Sequence, residues 1–179
     1  ARYGTAFASG SQSPCSNRGA GIGDPASNKY CYSNINDGEF GDRHSWSPAA
    51  AAYKGAFFGG VSFTTQVTVD YFALGRDQPG TSSDKLGSTW YLEVSNAESV
   101  DHDTTDWRVV AEFRLTSGRR HQFRLTTPVT GRGFRVRVRD SDSCMDELEL
   151  FGSFTDGVAP VPDILYYSIK MTTDLGTIE

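Results

Sequence analysis

Residues 133–152, "GFRVRVRDSDSCMDELELFG", hold two runs of strict alternation separated by a short polar segment. In the first run Phe134, Val136 and Val138 fall on one side, and Arg135, Arg137 and Arg139 on the other. In the second, Leu148 and Leu150 alternate with Glu147 and Glu149. Successive side chains of a strand point to opposite faces, so a period of two marks a strand with one wet face. The pattern repeats upstream. Val61, Phe63, Thr65, Val67, Val69 and Tyr71 share a face in "VSFTTQVTVDYFAL", a long run for one strand, and Trp90, Leu92 and Val94 share one in "WYLEVS". "WRVVAEFRL" and "HQFRLTTPV" follow with similar patterning. Strands joined by Gly, Asp and Ser loops predict an all-β sandwich.

Elsewhere the periodicity is weaker. Residues 1–30 are rich in Ser, Gly, Asn and Ala and read as loops with one short strand at most. "SWSPAAAAYKG" predicts one short helix, with Ser47 as N-cap, Pro48 in the first turn and Gly55 as stop. Beyond Gly152, "SFTDGVAPVPD" is a linker, and "ILYYSIKMT" reads as an isolated strand with Leu165, Tyr167, Ile169 and Met171 on one face. A lone strand must pair with something: its own domain, which is the favoured expectation, or the sheet edge of a neighbour.

The chain has 179 residues, enough for one domain with a full core and too few for two comfortable ones. Its formal charge of −5 argues against a general nucleic-acid binder. No segment approaches the ~20 apolar residues of a membrane span. The start "ARYGTAFASG" lacks a basic-then-apolar leader, which predicts a cytosolic or an already processed protein. Cys15, Cys31 and Cys144 have no zinc-type spacing. No Asn-x-Ser/Thr sequon occurs. Nor does GxSxG, HExxH or a phosphate-cradling glycine loop, so catalysis is not expected.

Chemistry concentrates in "CYSNINDGEFGDRHSW". Asn34, Asn36, Asp37, Glu39 and Asp42 offer oxygens there, and Gly38 allows a tight turn. Calcium takes six to eight oxygens from carboxylates and carbonyls. Such a run is by itself more often a plain turn. The order of this turn, the "SW" element, a long strand, "LGRD", "YLEVS", "RGFRVRV" and closing "DELELFG" resembles the discoidin-like, galactose-binding-domain superfamily. That group includes coagulation-factor type C domains, F-type lectins and galactose-binding carbohydrate-binding modules. The resemblance covers about residues 20–152, preceded by an N-terminal segment, 1–19, and followed by a linker and strand, 153–179. It implies a discoidin-like jelly-roll β-sandwich with one short helix and a C-terminal extension strand.

The resemblance also implies site residues. A structural calcium would join the early turn to the closing strand through Asp37 by side chain, Asn34 and Glu39 by carbonyl, and Ser45. Asp146 would add a carbonyl and Glu147 its carboxylate. Segments sharing one ion would bring Cys31 and Cys144 together, making that the preferred disulfide; Cys15–Cys31 is the runner-up. Glycan hydroxyls would be gripped by His44, Arg76, Asp77 and Lys85, with Trp46, Tyr53 or Phe57 as the ring against the sugar. The competing reading has Arg76 and Asp77 pinning their own loop. The spacing departs from the F-type lectin loop, and that loop's usual cysteine pair is missing.

Two further clusters have plainer expectations. Asp101, His102, Asp103 and Asp106 read as a solvated loop, and His121 as a turn residue. The Arg135, Arg137, Arg139 ladder, with Arg119, Arg120 and Arg124, is expected to pair with Glu147 and Glu149 across strands; the alternative is contact with acidic glycans or lipids. Together these imply a non-catalytic extracellular or cell-surface carbohydrate-binding or adhesion module, whose partner is a glycan or glycoprotein. The alternative is a structural subunit of an extracellular assembly, pairing with neighbouring subunits through residues 158–179.

Overall fold

A computed structural model of the protein describes residues 3–10, 30–41, 44–48, 57–76, 84–87, 89–139 and 143–155. Six strands form in the order β1 (Thr5–Ala8), β2 (Phe57–Gly75), β3 (Trp90–Ser95), β4 (Arg108–Phe113), β5 (His121–Val138) and β6 (Glu147–Phe154). A 3-10 turn, Tyr32–Asn36, occupies the "YSNIN" run that the sequence marked only as a turn. All strand pairings are antiparallel. The fold is the expected all-β jelly-roll sandwich.

Two long strands build both layers. Residues 57–62 of β2 pair with 133–138 of β5, and after a register shift 67–74 of β2 pair with 121–131 of β5. Strands that switch layers at bulges make the corners of a sandwich. One layer runs β1, β2, β5, β3, β4, and β6 adds to the second half of β2 to complete the other. Gly131 lies at the corner, where a Cβ would come within 2.2 Å of Val94 Cγ2. Only a residue without one lets β5 bend there.

The core fills the space between layers and holds Trp46, Val61, Phe72, Trp90, Leu92, Phe134, Val136 and Leu148. Phe72, Phe113 and Phe123 meet with ring centroids 4.6–5.1 Å apart, within the range where aromatic pairs attract beyond their buried area. Alternation was correct for β5, where Phe134, Val136 and Val138 are all buried. For β2 it failed beyond Val69. A second register shift between Val69 and Tyr71 turns Phe72 and Leu74 inward instead, and Tyr71 stacks on Phe151 outside, 4.3 Å between centroids. One extra residue in a strand inverts the phase of everything after it.

Most of the expected helix at 47–55, with Tyr53, lies outside the described residues, as do Cys15 and the strand at 164–172. Among the described residues, no helix is long and apolar enough to cross a membrane.

Candidate functional site

Five consecutive residues, 143–147, form a buried spine at the entry to β6, none more than 3% exposed. Ser143 bridges Leu86, and the Cys144 amide donates to the Lys85 carbonyl at 2.8 Å. Met145 exchanges backbone hydrogen bonds with Trp46 at 2.6 and 3.0 Å. The Asp146 amide donates to Gly75 O at 2.9 Å, and the Glu147 carboxylate accepts from the Gly38 amide at 3.0 Å. Gly38 has φ 83, a left-handed conformation that glycine adopts without steric cost. The spine thus staples the early "NINDG" turn, the "SW" element, the end of β2 and the loop before β3.

The two acidic residues of the spine are handled differently. Asp146 accepts from the Gly41 amide and the Ser45 hydroxyl, each at 2.6 Å, and faces Arg76 Nη1 at 3.5 Å. Arg76 Nη1 also donates to Ser45 Oγ at 2.9 Å, and the Asn34 side-chain amide donates to the Ser45 carbonyl at 2.9 Å. Arg76, 1% exposed, reaches Asp84 through Nη2 at 3.8 Å. Among the described residues, no cationic side chain pairs with Glu147. Burial pushes its carboxyl up to about 8; the Gly38 amide and the amino-terminal charge oppose that rise, and the Asp37 and Glu149 charges add to it. Asp37 is likewise raised by burial, against the Glu39 amide at 2.8 Å and His44 Nδ1 at 3.3 Å.

The structure therefore gathers the residues expected to bind calcium, but sorts them. Asp37 is near enough for its charge to raise the Glu147 carboxyl. Glu39 belongs to the same turn, while Asn34, Ser45 and the Asp146 carboxylate form the neighbouring latch on Arg76. Glu147 is buried, whereas Asp37 is exposed and pairs with His44 at 3.3 Å; their carboxylates are oxygen donors of the kind a hard cation prefers. Among the described residues, no three His, Cys, Asp or Glu side chains group as a metal site. A cation here would draw its remaining oxygens from backbone carbonyls.

Several expectations need correction. Cys144 is a free, buried thiol, whereas Cys31 is disulfide-bonded, so the Cys31–Cys144 bridge is not formed. The runner-up pairing involves Cys15, outside the described residues. The spine explains the error: the Cys144 thiol hydrogen-bonds Ser47 and its amide donates to the Lys85 carbonyl in the loop before β3. Trp46 is fully buried, its indole N–H donating to Gly10 O at 2.9 Å, so its ring is closed to a ligand. Arg76 is equally enclosed and serves the latch, close to the internal ion-pair reading; Asp77 lies outside the described residues. His44 and Lys85 remain accessible, each half-buried.

The arginine ladder also pairs elsewhere. Arg135 Nε and Arg137 Nε each donate to Glu93 on β3 at 2.7 Å. Arg135 is held between the Phe58 and Trp107 rings, 4.3 and 4.1 Å from their centroids, and Arg137 lies 4.5 Å over Tyr91. Burial lowers the Arg135 pKa, and the Glu93 carboxylate opposes that. Glu149 pairs, as expected, with one arginine of that face, Arg120, through both guanidinium branches. Asp101, His102, Asp103 and Asp106 are exposed, with Asp101 capping the amides of Asp103 and Thr104, as a solvated loop should. His121 is the first residue of β5, its ring beside Ser117.

Sequence reasoning missed Tyr30. Tyr30 and Lys85, at φ 69 and 56, are the non-glycine residues in the left-handed region among those described, and the Lys85 ammonium sits 5.4 Å from the Tyr30 ring centroid. Neither carries a sequence signal for that conformation, which costs an ordinary side chain about 1–2 kcal/mol.

No protein-family model and no curated protein sequence matches the chain. Solved structures do match in fold. One is the module CpGH89CBM32-5 from Clostridium perfringens, in complex with GalNAc-β-1,3-galactose: TM-score 0.58, 13% identity, covering 84% of this chain and 96% of that one. A second is chitosan-binding module 2 of a chitosanase/glucanase from Paenibacillus sp. IK-5, in complex with chitotriose: TM-score 0.60, 12% identity, 84% and 97% covered. A third is a fucolectin from striped bass (Morone saxatilis) serum: TM-score 0.59, 15% identity, covering 85% of this chain and 47% of the lectin. The chain has the discoidin-like, galactose-binding-domain fold.

Proposed function

We propose that the protein is a non-catalytic carbohydrate-binding module of an extracellular or cell-surface protein, carrying a structural calcium. The observation that supports this reading is the packing of the "NINDG" turn onto the head of β6, where the Gly38 amide donates to the Glu147 carboxylate, in a fold whose neighbours include modules solved with bound glycans. Asp37 and Glu147 hold the cation by their carboxylates, with carbonyls of the turn, Asn34 and Glu39 among them, completing its shell. The ligand face is the loop cluster at this end of the sandwich, where Lys85, Tyr30, Asp84 and His44 offer an ammonium, a ring, a carboxylate and an imidazole. A ring against the apolar sugar face with charged groups around its hydroxyls is what recognition of a pyranose requires.

The test is a thermal melt of the full chain in calcium and in chelator, beside the same melts of Glu147→Gln. Calcium at ~100 times its dissociation constant adds about 2.7 kcal/mol to the folded state, a rise of ~5–10 °C in midpoint for a chain of this size. The variant should show no such rise. Equal midpoints for the wild type in both buffers would remove the cation from this reading. A glycan array on the isolated chain tests the remainder. The assembly reading depends on residues 158–179, outside the described residues, and deletion of that segment followed by light scattering decides it.

A further inference from the structure

We infer that the outer face of one layer, made by β6, residues 67–74 of β2 and residues 121–131 of β5, is a further glycan-binding surface. Its ligand is a polysaccharide of uronic acids, and Arg124 is the partner of a sugar carboxylate beside the Tyr71–Phe151 ring pair. The inference rests on the module reading only in taking the ligand to be a glycan, and uses neither the cation nor the Lys85 loop. Register places the parts. Tyr71 stands opposite Arg124 on β5 and opposite Phe151 on β6; one row farther along, Ala73 stands between Gln122 and Glu149. Directly opposed residues of antiparallel strands share a face. Phe72 and Leu74 fill the core, so the set around Tyr71 faces outward, with Arg124 and Gln122 exposed and Tyr71 and Phe151 half-buried. Phe151 lies four residues past Glu147, about 13 Å along the strand from the loop end.

Chemistry selects the ligand. The Tyr71 and Phe151 rings are 4.3 Å apart between centroids and 8° from parallel. Rings that close and that parallel lie face to face, so on neighbouring strands both stand on edge and present their rims outward. The rim is the positive side of the ring quadrupole, which suits a negative group better than the apolar face of a neutral sugar. The Phe151 flank is closed: the Arg120 guanidinium lies 5.7 Å from that centroid and is held by Glu149 through both branches. The Tyr71 flank is open. Among the described residues, the Arg124 side chain has no ion pair or hydrogen bond, and Asp70, exposed at the adjacent bulge, does not pair with it. Arg135 and Arg137, by contrast, are engaged by Glu93 in the other layer. A guanidinium fork matches a carboxylate through two parallel hydrogen bonds, and the Gln122 amide two residues away serves neighbouring hydroxyls. A free cation with an unpaired acid nearby, in a chain of net charge −5, suits one carboxylate per sugar. A densely sulfated chain or a nucleic acid would need more cations than this face offers. Beside Arg124, residues 125–128 of β5 stand opposite the single Asp70 of β2. Buried Leu125 roots that excursion, and exposed Thr126, Thr127 and Pro128 border the face.

The experiment is a titration of the full chain with tetramannuronate at low salt, read by calorimetry and by backbone amide shifts. The methyl-esterified tetramer, whose carboxylates have lost their charge, is the control. Shifts should fall at Tyr71, Gln122, Arg124 and Phe151, and the ester should not bind. Arg124→Ala should lower the affinity about tenfold or more. Arg108→Ala, which removes an exposed arginine from β4 in the other layer, should leave it unchanged. Both arginines are exposed, so both variants should keep the wild-type melting midpoint. Equal weakening in the two would reduce the effect to net charge and overturn the site. Shifts confined to 84–87 and indifferent to Arg124→Ala would put the ligand on the loop face, upholding the module reading and overturning this surface. No binding of the acid tetramer overturns the uronate surface alone, since the glycan array tests the module reading separately.

Discussion

Two clusters of arginine and carboxylate sit on this sandwich, one at the loop end and one across the outer face of β3 and β5. In the latch, Asp146, Arg76 and Ser45 come from three loops and are almost wholly buried. In the ladder, Glu93, Arg135 and Arg137 come from adjacent strands in register, Glu93 opposite Arg135, and Arg137 remains part-solvated beneath the Tyr91 ring. The latch positions loops and the ladder reinforces a sheet that main-chain hydrogen bonds already define. Charge pairs between loops thus decide where segments lie, whereas pairs between strands add to an arrangement that exists without them.

That contrast can be broken by mutation. The largest effect is expected from Asp146→Ala, which leaves Arg76 buried without its carboxylate: about 3–5 kcal/mol lost in urea unfolding, with faster exchange at Gly41. A loss under ~1 kcal/mol would mean that the latch does not organise these loops. Glu93→Gln should cost less, about 2 kcal/mol, because Arg135 keeps the Phe58 and Trp107 ring faces and Arg137 keeps Tyr91 and part of its hydration. Exchange in the loop 84–87 should stay unchanged there; if it rises, the two clusters are not separate. Tyr91→Leu keeps apolar bulk but removes the ring from Arg137, and about 0.5–1 kcal/mol of stability should go. No loss in this variant would assign the ladder to the Glu93 ion pairs alone.

How legible each cluster was follows from the same contrast. Arg135 and Arg137 were visibly on the wet face, but their partner was misassigned to Glu147 and Glu149. Alternation gives the face of a strand and not its neighbour, and β3 lies beside β5 through a chain order that period two does not encode. Asp37 and Glu147 were named from the order of motifs, and the Gly38–Glu147 hydrogen bond confirms that these segments meet. Trp46 and Arg76 were assigned to a ligand and proved buried, since residue type shows what a side chain can do and not which way its backbone aims it. Tyr71 fell on the wrong side because a bulge cannot be seen in a pattern that assumes none.

By itself, then, the sequence determined the strands, the apolar face of β5 and the acidic turn with its acidic counterpart at the head of β6. Those are local properties, set by side-chain periodicity and by glycine where φ must be positive. Tertiary structure alone decided that Arg76 pairs with Asp146 and not with a sugar hydroxyl, that burial raises the Glu147 carboxyl, that Cys144 stays a thiol, and that the Lys85 ammonium lies over Tyr30. Each of these depends on which of many loop arrangements buries its charges with partners. Only the packed chain sets that balance, because desolvation acts on a group's surroundings and not on its place in the sequence.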